Sequence, residues 1–337
     1  MNPLDLRPRS IGELLDVAVK LVTKNAKTIL PISLLFTLVT SFIPMVVLLV
    51  ALPDGAVVVN GDILVPDPGA LDRYNIIGII VLGAAALISF ASFAPLYRAV
   101  VNGYLGRHEP FGVCLKKGLA QTGSVILLLI LIGLVVAVPV LLVFAGFAVS
   151  DGLGAIAAIG AFVVLMVLMV RLSVSLPVLV AERFGPVTSF KRSFALTKTR
   201  GWSTFATLFL GGIVIGIVSA VLTSIFTKAV GGSTPTSKIV GEGIAEGVIG
   251  ALVSTPFLIA LVAAIYFDLR VRNEGFDIEV LASTLGDGAP PVAPHPRPAS
   301  QGSVGLGEAA SAYLRGDAAT PSDPFASHPP QGPPPQQ

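Results

Sequence analysis

Apolar residues along this chain are gathered into six long segments separated by shorter, charged stretches. The segments are expected at about 28–52, 74–98, 123–147, 154–181, 203–227 and 247–267. A helix needs about 20 predominantly apolar residues to cross a bilayer core of roughly 30 Å, and each segment meets that length. The pattern predicts an all-α integral membrane protein with six transmembrane helices.

A shorter stretch with apolar residues at helical spacing precedes the first, third and fifth segments, at 10–27, 111–120 and 187–200. In the first of these, Ser10 and Glu13 fit the S-x-x-E capping box that fixes a helix start. We expect three interfacial amphipathic helices on the cytoplasmic side, with basic faces that either anchor them beside the bundle or recognise lipid headgroups.

The layout also indicates a possible threefold internal repeat. Each unit would hold an interfacial helix, a span out, a loop and a span back, and each returning span carries a proline (Pro95, Pro177 and Pro256). Repeats of this kind are common in membrane proteins.

The distribution of positive charge predicts the topology. Short loops rich in Lys and Arg stay on the cytoplasmic side of a membrane. All but four of the 22 Lys and Arg residues lie before span one, between spans two and three, between spans four and five, or after span six; the four are Arg73, Arg171, Lys228 and Lys238. Both termini are therefore expected in the cytoplasm.

Two segments outside the spans have a readable pattern. The residues 57–59 and 63–65 flank Asn60 and Gly61, and an Asn-Gly pair between apolar runs predicts a β-hairpin with a type I′ turn. After about residue 285, Pro, Gly, Ser, Ala and Gln dominate. We expect a membrane domain over 1–285 and a disordered Pro/Gly-rich cytoplasmic tail over 286–337.

The sequence carries no catalytic or metal-binding signature. The three histidines (His108, His295 and His328) are far apart, and no phosphate-binding loop or zinc spacing is present. Hydrophobic residues make up 53% of the chain and charged residues 12%, which leaves little room for a soluble enzyme domain. We expect no catalytic residues, no metal, no cofactor and no nucleic-acid partner.

Arg171 is the one basic residue expected deep within a span. Together with Lys191, Arg192 and Lys198 of the basic segment that follows, it forms a candidate lipid- or anion-binding set, because a guanidinium matches a phosphate through two hydrogen bonds. The alternative is a structural arginine bonded to freed backbone carbonyls, or to an acid such as Glu246 or Asp151.

Acids and bases alternate where span six ends. We expect ion pairs that fasten this end to the end of span four, a structural clasp made by Glu182, Arg183, Asp268 and Arg270. A binding site at the same place is the alternative.

Three stretches resemble a known family: LRPRSIGELLD (6–16), LPVLVAERFGP with FKRSFALTK (176–198), and YFDLRVRNEGFDIE (266–279). They resemble the bacterial glycerophosphoryl diester phosphodiesterase membrane domain family over about residues 6–282. In some members this domain is fused to a soluble phosphodiesterase, and that catalytic part has no counterpart here. The resemblance implies a stand-alone bacterial membrane module concerned with envelope lipids.

Together these features favour a non-enzymatic module of the bacterial plasma membrane that binds lipid headgroups or an envelope protein. Its expected partners are membrane lipids, with a protein partner or a second copy of the chain also possible. The alternative is a permease for a small anionic or amphiphilic solute. An intramembrane enzyme is a third hypothesis, disfavoured because no acid, base and nucleophile set is visible.

Overall fold

A computed structural model describes residues 7–51, 57–59, 62–64, 68–107, 109–230 and 235–276. Within these ranges, six helical segments are long and apolar enough to cross a membrane, which confirms the prediction of a helical multi-pass membrane protein. They are called spans one to six below and run Ala26–Val47, Asp72–Tyr104, Thr122–Val149, Asp151–Glu182, Gly201–Ala229 and Gly241–Glu274. The predicted tail, 286–337, lies outside the described residues.

The first helix, α1 (Ile11–Lys24), begins where the sequence predicts. Ser10 Oγ accepts a hydrogen bond from the Glu13 backbone N–H, and the Glu13 carboxylate accepts one from the Ser10 backbone N–H at 2.8 Å, so the capping box is confirmed. These bonds, with one from Arg7, lower the pKa of Glu13 to about 2. The buried residues of α1 are Leu14, Val17, Ala18 and Leu21.

Span one is a composite of α2 (Ala26–Thr37), a π-helical segment (Leu38–Phe42) and the start of α3 (Ile43–Val50). The predicted hairpin follows as β1 (Val57–Val59) and β2 (Asp62–Leu64), which pair antiparallel with Val59 opposite Asp62. The hairpin is thus confirmed, although β2 begins one residue earlier than expected. Its turn, residues 60 and 61, lies outside the described ranges.

Span two is part of α4 (Pro68–Tyr104), and the short α5 (Phe111–Leu119) follows it. Span three is α6 (Thr122–Val149). Span four consists of α7 (Asp151–Leu172) and α8 (Ser175–Glu182). Span four was expected as one helix, but it is interrupted at residues 173 and 174. Pro177 has no N–H to donate to the carbonyl of residue 173. The hydroxyl of Ser175 instead donates to the Leu172 carbonyl at 2.7 Å.

Spans five and six follow the short α9 (Pro186–Thr197). Span five is α10 (Gly201–Val230), and span six joins the second part of α11 (Pro235–Ile249), a π-helical segment (Gly250–Ser254) and α12 (Thr255–Glu274). The sequence expectation began span six at residue 247. The helix begins earlier, so the apolar span at Gly241–Glu274 includes Glu242 and Glu246, which had been left outside it.

The last helix, α12, forms the centre of the bundle. In the most apolar stretch of span six, which α12 completes, 56% of the residues are buried, against 11–22% in the other five spans. Tyr266 and Phe267 are among its fully buried side chains. Large apolar side chains such as Leu134 and Ile156 lie exposed on spans three and four, as suits a surface that faces lipid rather than water.

Candidate functional site

A buried carboxylate joins the ends of spans four and six. Glu182, the last residue of α8, accepts a hydrogen bond from the Tyr266 hydroxyl at 2.8 Å and another from the Arg192 guanidinium of α9. Arg270 Nε lies 3.8 Å from the same carboxylate. The side chain of Glu182 is 1% exposed, and a charge buried this deeply needs such partners because water no longer solvates it.

A second carboxylate completes this cluster. The Glu274 carboxylate forms an ion pair with Arg192 Nη2 at 2.8 Å and another with Arg270 Nε at 3.2 Å. Each guanidinium group therefore lies between Glu182 and Glu274. Burial disfavours the charged form of Arg192, but its hydrogen bond to Glu182 and the charges of both acids raise its pKa above the ordinary value. The guanidinium of Arg270 also lies 4.0 Å from the centre of the Phe276 ring, a favourable cation–π contact. We call Glu182, Arg192, Tyr266, Arg270 and Glu274 the clasp.

Asp268 belongs to a neighbouring cluster that holds the segment before α1. Its carboxylate accepts the Arg9 backbone N–H at 2.8 Å and the Arg272 guanidinium at 2.8 Å. Arg272 donates to the Arg9 carbonyl at 2.7 Å, and the Arg9 side chain donates to the Tyr104 hydroxyl at 3.0 Å. The Tyr104 ring in turn stacks on Phe267 at 4.0 Å. The N-terminal segment is thereby fastened to spans two and six.

A third cluster surrounds Glu109, just before α5. Arg98 of span two donates two hydrogen bonds to its carboxylate, at 2.9 and 2.8 Å, and Lys117 of α5 lies at 3.3 Å. Chiefly because of the bonds from Arg98, the pKa of Glu109 is lowered. The thiol of Cys114 faces the same carboxylate at 3.6 Å, and burial together with this negative charge raises its pKa to about 11. A thiol in this state is a weak nucleophile.

The four residues of the predicted clasp do not lie together in one cluster. Glu182 and Arg270 come together as expected, whereas Asp268 pairs with Arg272 in the separate cluster. Arg183 is the exposed, left-handed C-cap residue of α8 (φ 53°), and its side chain has no ion pair among the described residues.

The sequence reasoning missed Tyr266, Glu274 and Arg192 as members of the clasp. The spacing of four residues between Arg270 and Glu274, which places both on one helix face, was a usable signal. Arg192 had been placed in the candidate lipid set instead.

Arg171 lies beside the interruption of span four. Its backbone carbonyl accepts a hydrogen bond from the Ser193 hydroxyl of α9 at 2.6 Å, so α9 supports the broken end of α7. Its half-buried side chain makes no hydrogen bond or ion pair within the described part of the chain, and neither Asp151 nor Glu246 is its partner there. Lys191 of α9 and Lys198, the residue that follows this helix, are both exposed.

An apolar groove of about 660 Å³ begins at the same interruption. Spans three, four and five line it with side chains that include Val136, Phe162, Leu165, Leu176, Phe205 and Phe209, and Ser173 and Ser175 lie at the break. Phe205 is near the start of α10, three residues after the exposed Trp202. The groove thus extends from one end of the bundle towards its middle.

A second cavity, here called the polar chamber, lies between spans five and six. It has a volume of about 660 Å³, and its lining includes Thr223, Thr227, Lys228, Glu242, Glu246 and Ser254. Ser254 ends the π-helical segment and shares a 2.7 Å hydrogen bond with Ser219 of span five. Ser254 precedes Tyr266 of the clasp by about three turns of helix, or roughly 18 Å, so the chamber is at the opposite end from the clasp.

Two glycines of α11 explain why its carboxylates face this chamber. A Cβ on Gly243 would lie 3.4 Å from Met45 Sδ, and one on Gly247 would lie 3.6 Å from Phe42. Both are ordinary van der Waals distances, so this face of α11 packs against span one. Glu242 and Glu246 each precede one of them and therefore lie about 100° around the helix, on the side of span five.

Comparison of the chain with protein-family models, with curated proteins and with solved structures gives no match. Among the described residues, no group of His, Cys, Asp and Glu side chains is arranged to hold a metal ion.

Proposed function

We propose that this chain is a non-enzymatic integral membrane module that holds an anionic phospholipid. One acyl chain would lie in the apolar groove, and the phosphate would contact Arg171, with Lys191 and Lys198 nearby. The observation that carries the proposal is the combination of Arg171, which has no side-chain partner among the described residues, with an apolar groove that starts at the neighbouring residue. Arg192 is left out of the proposed lipid site because the clasp engages it.

The headgroup, rather than the tail, would determine which lipid is retained. Moving an acyl chain from the bilayer into an apolar groove yields little hydrophobic free energy, because lipid tails are as apolar as the groove. A guanidinium binds a phosphate through two parallel hydrogen bonds, and each basic side chain near an anionic surface contributes about 1 kcal/mol. Arg171 beside the groove, together with the exposed Lys191 and Lys198 at α9, would therefore favour anionic lipids.

The charge distribution supports the accompanying proposal on location. With most Lys and Arg residues at the end of the bundle that carries the clasp, we place that end and both termini in the cytoplasm of a bacterium, and the spans in its plasma membrane. The resemblance to the glycerophosphoryl diester phosphodiesterase membrane domain family supports the same assignment.

The threefold repeat remains a proposal that three similar contacts support. The helices α1, α5 and α9 would be the interfacial helices. Each is fastened to the end of a returning span by a carboxylate: Asp268 to the segment before α1, Glu109 to Arg98 beside α5, and Glu182 to Arg192 of α9. A basic interfacial surface of this kind would suit anionic lipids or an envelope protein, including a second copy of the chain.

The test is native mass spectrometry of the protein released gently from its own membrane. We expect a retained phospholipid of one headgroup class, lost in Arg171→Leu. Leu165→Trp should fill the groove and displace the lipid, whereas Val164→Trp, the exposed neighbour on the same helix outside the groove lining, should not. Unchanged retention in both Arg171→Leu and Leu165→Trp would overturn the proposal, and a co-purifying protein in place of lipid would indicate a subunit.

A permease for a small solute is the second candidate function. The polar chamber favours it, because it places hydroxyls and charged groups within reach of an apolar span. Solute uptake into proteoliposomes tests this candidate, and an absence of flux would argue against it.

A further inference from the structure

We propose that the polar chamber between spans five and six binds an ammonium group. Two carboxylates, Glu242 and Glu246, line it together with a single cationic side chain, Lys228. The site is separate from the lipid groove, and the inference does not depend on the lipid proposal.

The charges of the chamber select the class of ligand. Neither carboxylate forms an ion pair with Lys228 or with any other described residue, so both remain available to a ligand. Among the described side chains that line the chamber, two are negative and one is positive, so this part of the lining attracts a cation and repels an anion. This disfavours the anionic solute that the sequence had suggested for a permease.

The spacing of the two acids suits a single ammonium. Residues four apart on a helix have their Cβ atoms about 6 Å apart, so one –NH₃⁺ group can donate to both carboxylates. The hydroxyls of Thr223 and Thr227, also four residues apart, line the facing wall and can accept the remaining hydrogen bond or contact a polar body attached to the amine.

Two further features mark the chamber as a site. Glu242 and Glu246 are both exposed, on the helix that continues into span six, so a solute or a lipid headgroup can reach them. The chamber also borders the π-helical segment Gly250–Ser254, through Gly250 and Ser254. Such segments lack the regular α-helical hydrogen-bond ladder and are often found at functional sites.

The ammonium has two possible sources, a free amine solute or the headgroup of an aminophospholipid. In the first arm, the full chain is reconstituted into nanodiscs of phosphatidylglycerol, which has no amine, and titrated with ethanolamine by calorimetry. In the second arm, nanodiscs of mixed phosphatidylethanolamine and phosphatidylglycerol are analysed by native mass spectrometry. Saturable binding in the first arm indicates a free amine, and selective retention of phosphatidylethanolamine in the second indicates the lipid.

The variants make the outcome specific to the chamber. In whichever arm binds, Glu242→Gln and Glu246→Gln should each weaken binding about tenfold, as expected for loss of a charged hydrogen-bond partner. Asp151→Asn removes an exposed carboxylate outside the chamber and should leave binding unchanged. Glu246→Asp keeps the charge and should retain binding, which separates loss of the carboxylate from loss of the fold. No binding in either arm, or binding that both Gln variants leave intact, would overturn the inference.

Discussion

The hydroxyl of Tyr266 donates a 2.8 Å hydrogen bond to the carboxylate of Glu182, across 84 residues of sequence, and both side chains are buried. The bond joins the end of span four to the central helix of the bundle. Because Arg192 donates to the same carboxylate, α9 is fixed to both helices at this point. The clasp therefore sets the position of α9, and with it the supporting contact between Ser193 and the broken end of span four.

Removing the charge of Glu182 should destabilise the protein strongly. Glu182→Gln leaves Arg192 and Arg270 with one acid instead of two, and breaking a buried ion pair from one side costs about 3–5 kcal/mol. The free energy of unfolding in detergent micelles measures this loss. Asp16→Asn is the control, since Asp16 pairs with Lys20 on the exposed surface of α1, where such a pair contributes less than about 1 kcal/mol. Equal losses in the two variants would show that the clasp is not structural.

The Glu109 cluster should make stability depend on pH below about 4.5. Its pKa is lowered in the folded protein by the hydrogen bonds from Arg98, so the unfolded chain takes up a proton at higher pH than the folded one. The stabilisation is complete above the ordinary glutamate pKa and is lost as the pH falls towards the folded value.

Melting temperatures of wild type and Glu109→Gln, compared between pH 7 and pH 3.5, measure this dependence. The two proteins should differ most near neutral pH and converge as the pH falls, whereas a constant difference would contradict the assignment. The difference between wild type and Glu109→Gln isolates the contribution of Glu109, because the other carboxylates titrate in the same pH range and lower the stability of both proteins.

Local patterns in the sequence predicted the features that depend on neighbouring residues. Hydropathy gave the six spans, Ser10 and Glu13 gave the start of α1, and the Asn-Gly pair gave the hairpin. Each of these is determined by residues that are close together in the sequence. The ion pairs between residues four apart at the end of span six, Arg270 with Glu274 and Asp268 with Arg272, are local in the same sense. The sequence analysis predicted a clasp at this place but did not predict these pairs.

Features that depend on how helices face one another were not predictable from these patterns. From hydropathy, span six was predicted to begin at residue 247, just after Glu246, because the two carboxylates lower the local mean hydropathy. In the structure, the helix begins before Glu242, with Gly243 and Gly247 facing span one and both acids lining the chamber beside span five. The contact that α9 makes at the interruption of span four is likewise non-local, because Ser193 lies 22 residues along the chain from Arg171, whose carbonyl it binds.

Gly118 should not tolerate a side chain. A Cβ at this position of α5 would lie 2.4 Å from the Pro95 Cα, a backbone atom that cannot move aside without displacing span two. Gly118→Ala should therefore cost about 1–3 kcal/mol of stability. Gly112→Ala is the matched control in the same helix, where nothing lies within 4 Å and alanine's higher helix propensity should be neutral or stabilising. Similar effects of the two substitutions on the melting temperature would contradict the close packing.

The hydroxyl of Ser193 should stabilise span four at its interruption. It donates to the Arg171 carbonyl at 2.6 Å, and the remaining donor to that carbonyl, Thr197, lies at 3.5 Å. Ser193→Ala should therefore cost about 1–2 kcal/mol, concentrated at the junction of α7 and α8. Hydrogen–deuterium exchange of residues 171–175 measures this effect directly, because local opening exposes their amides.

Ser189→Ala is the control for this measurement. Ser189 is as fully buried as Ser193, but its hydroxyl donates to Gly185 just ahead of its own helix and does not reach span four. Faster exchange at 171–175 in Ser193→Ala alone would show that α9 supports the break. Equal exchange in both variants would mean that Pro177 and the local serines hold it without α9. In that case this contact would not fix α9, which carries Lys191 and precedes Lys198, against the residue that the lipid proposal assigns to the phosphate.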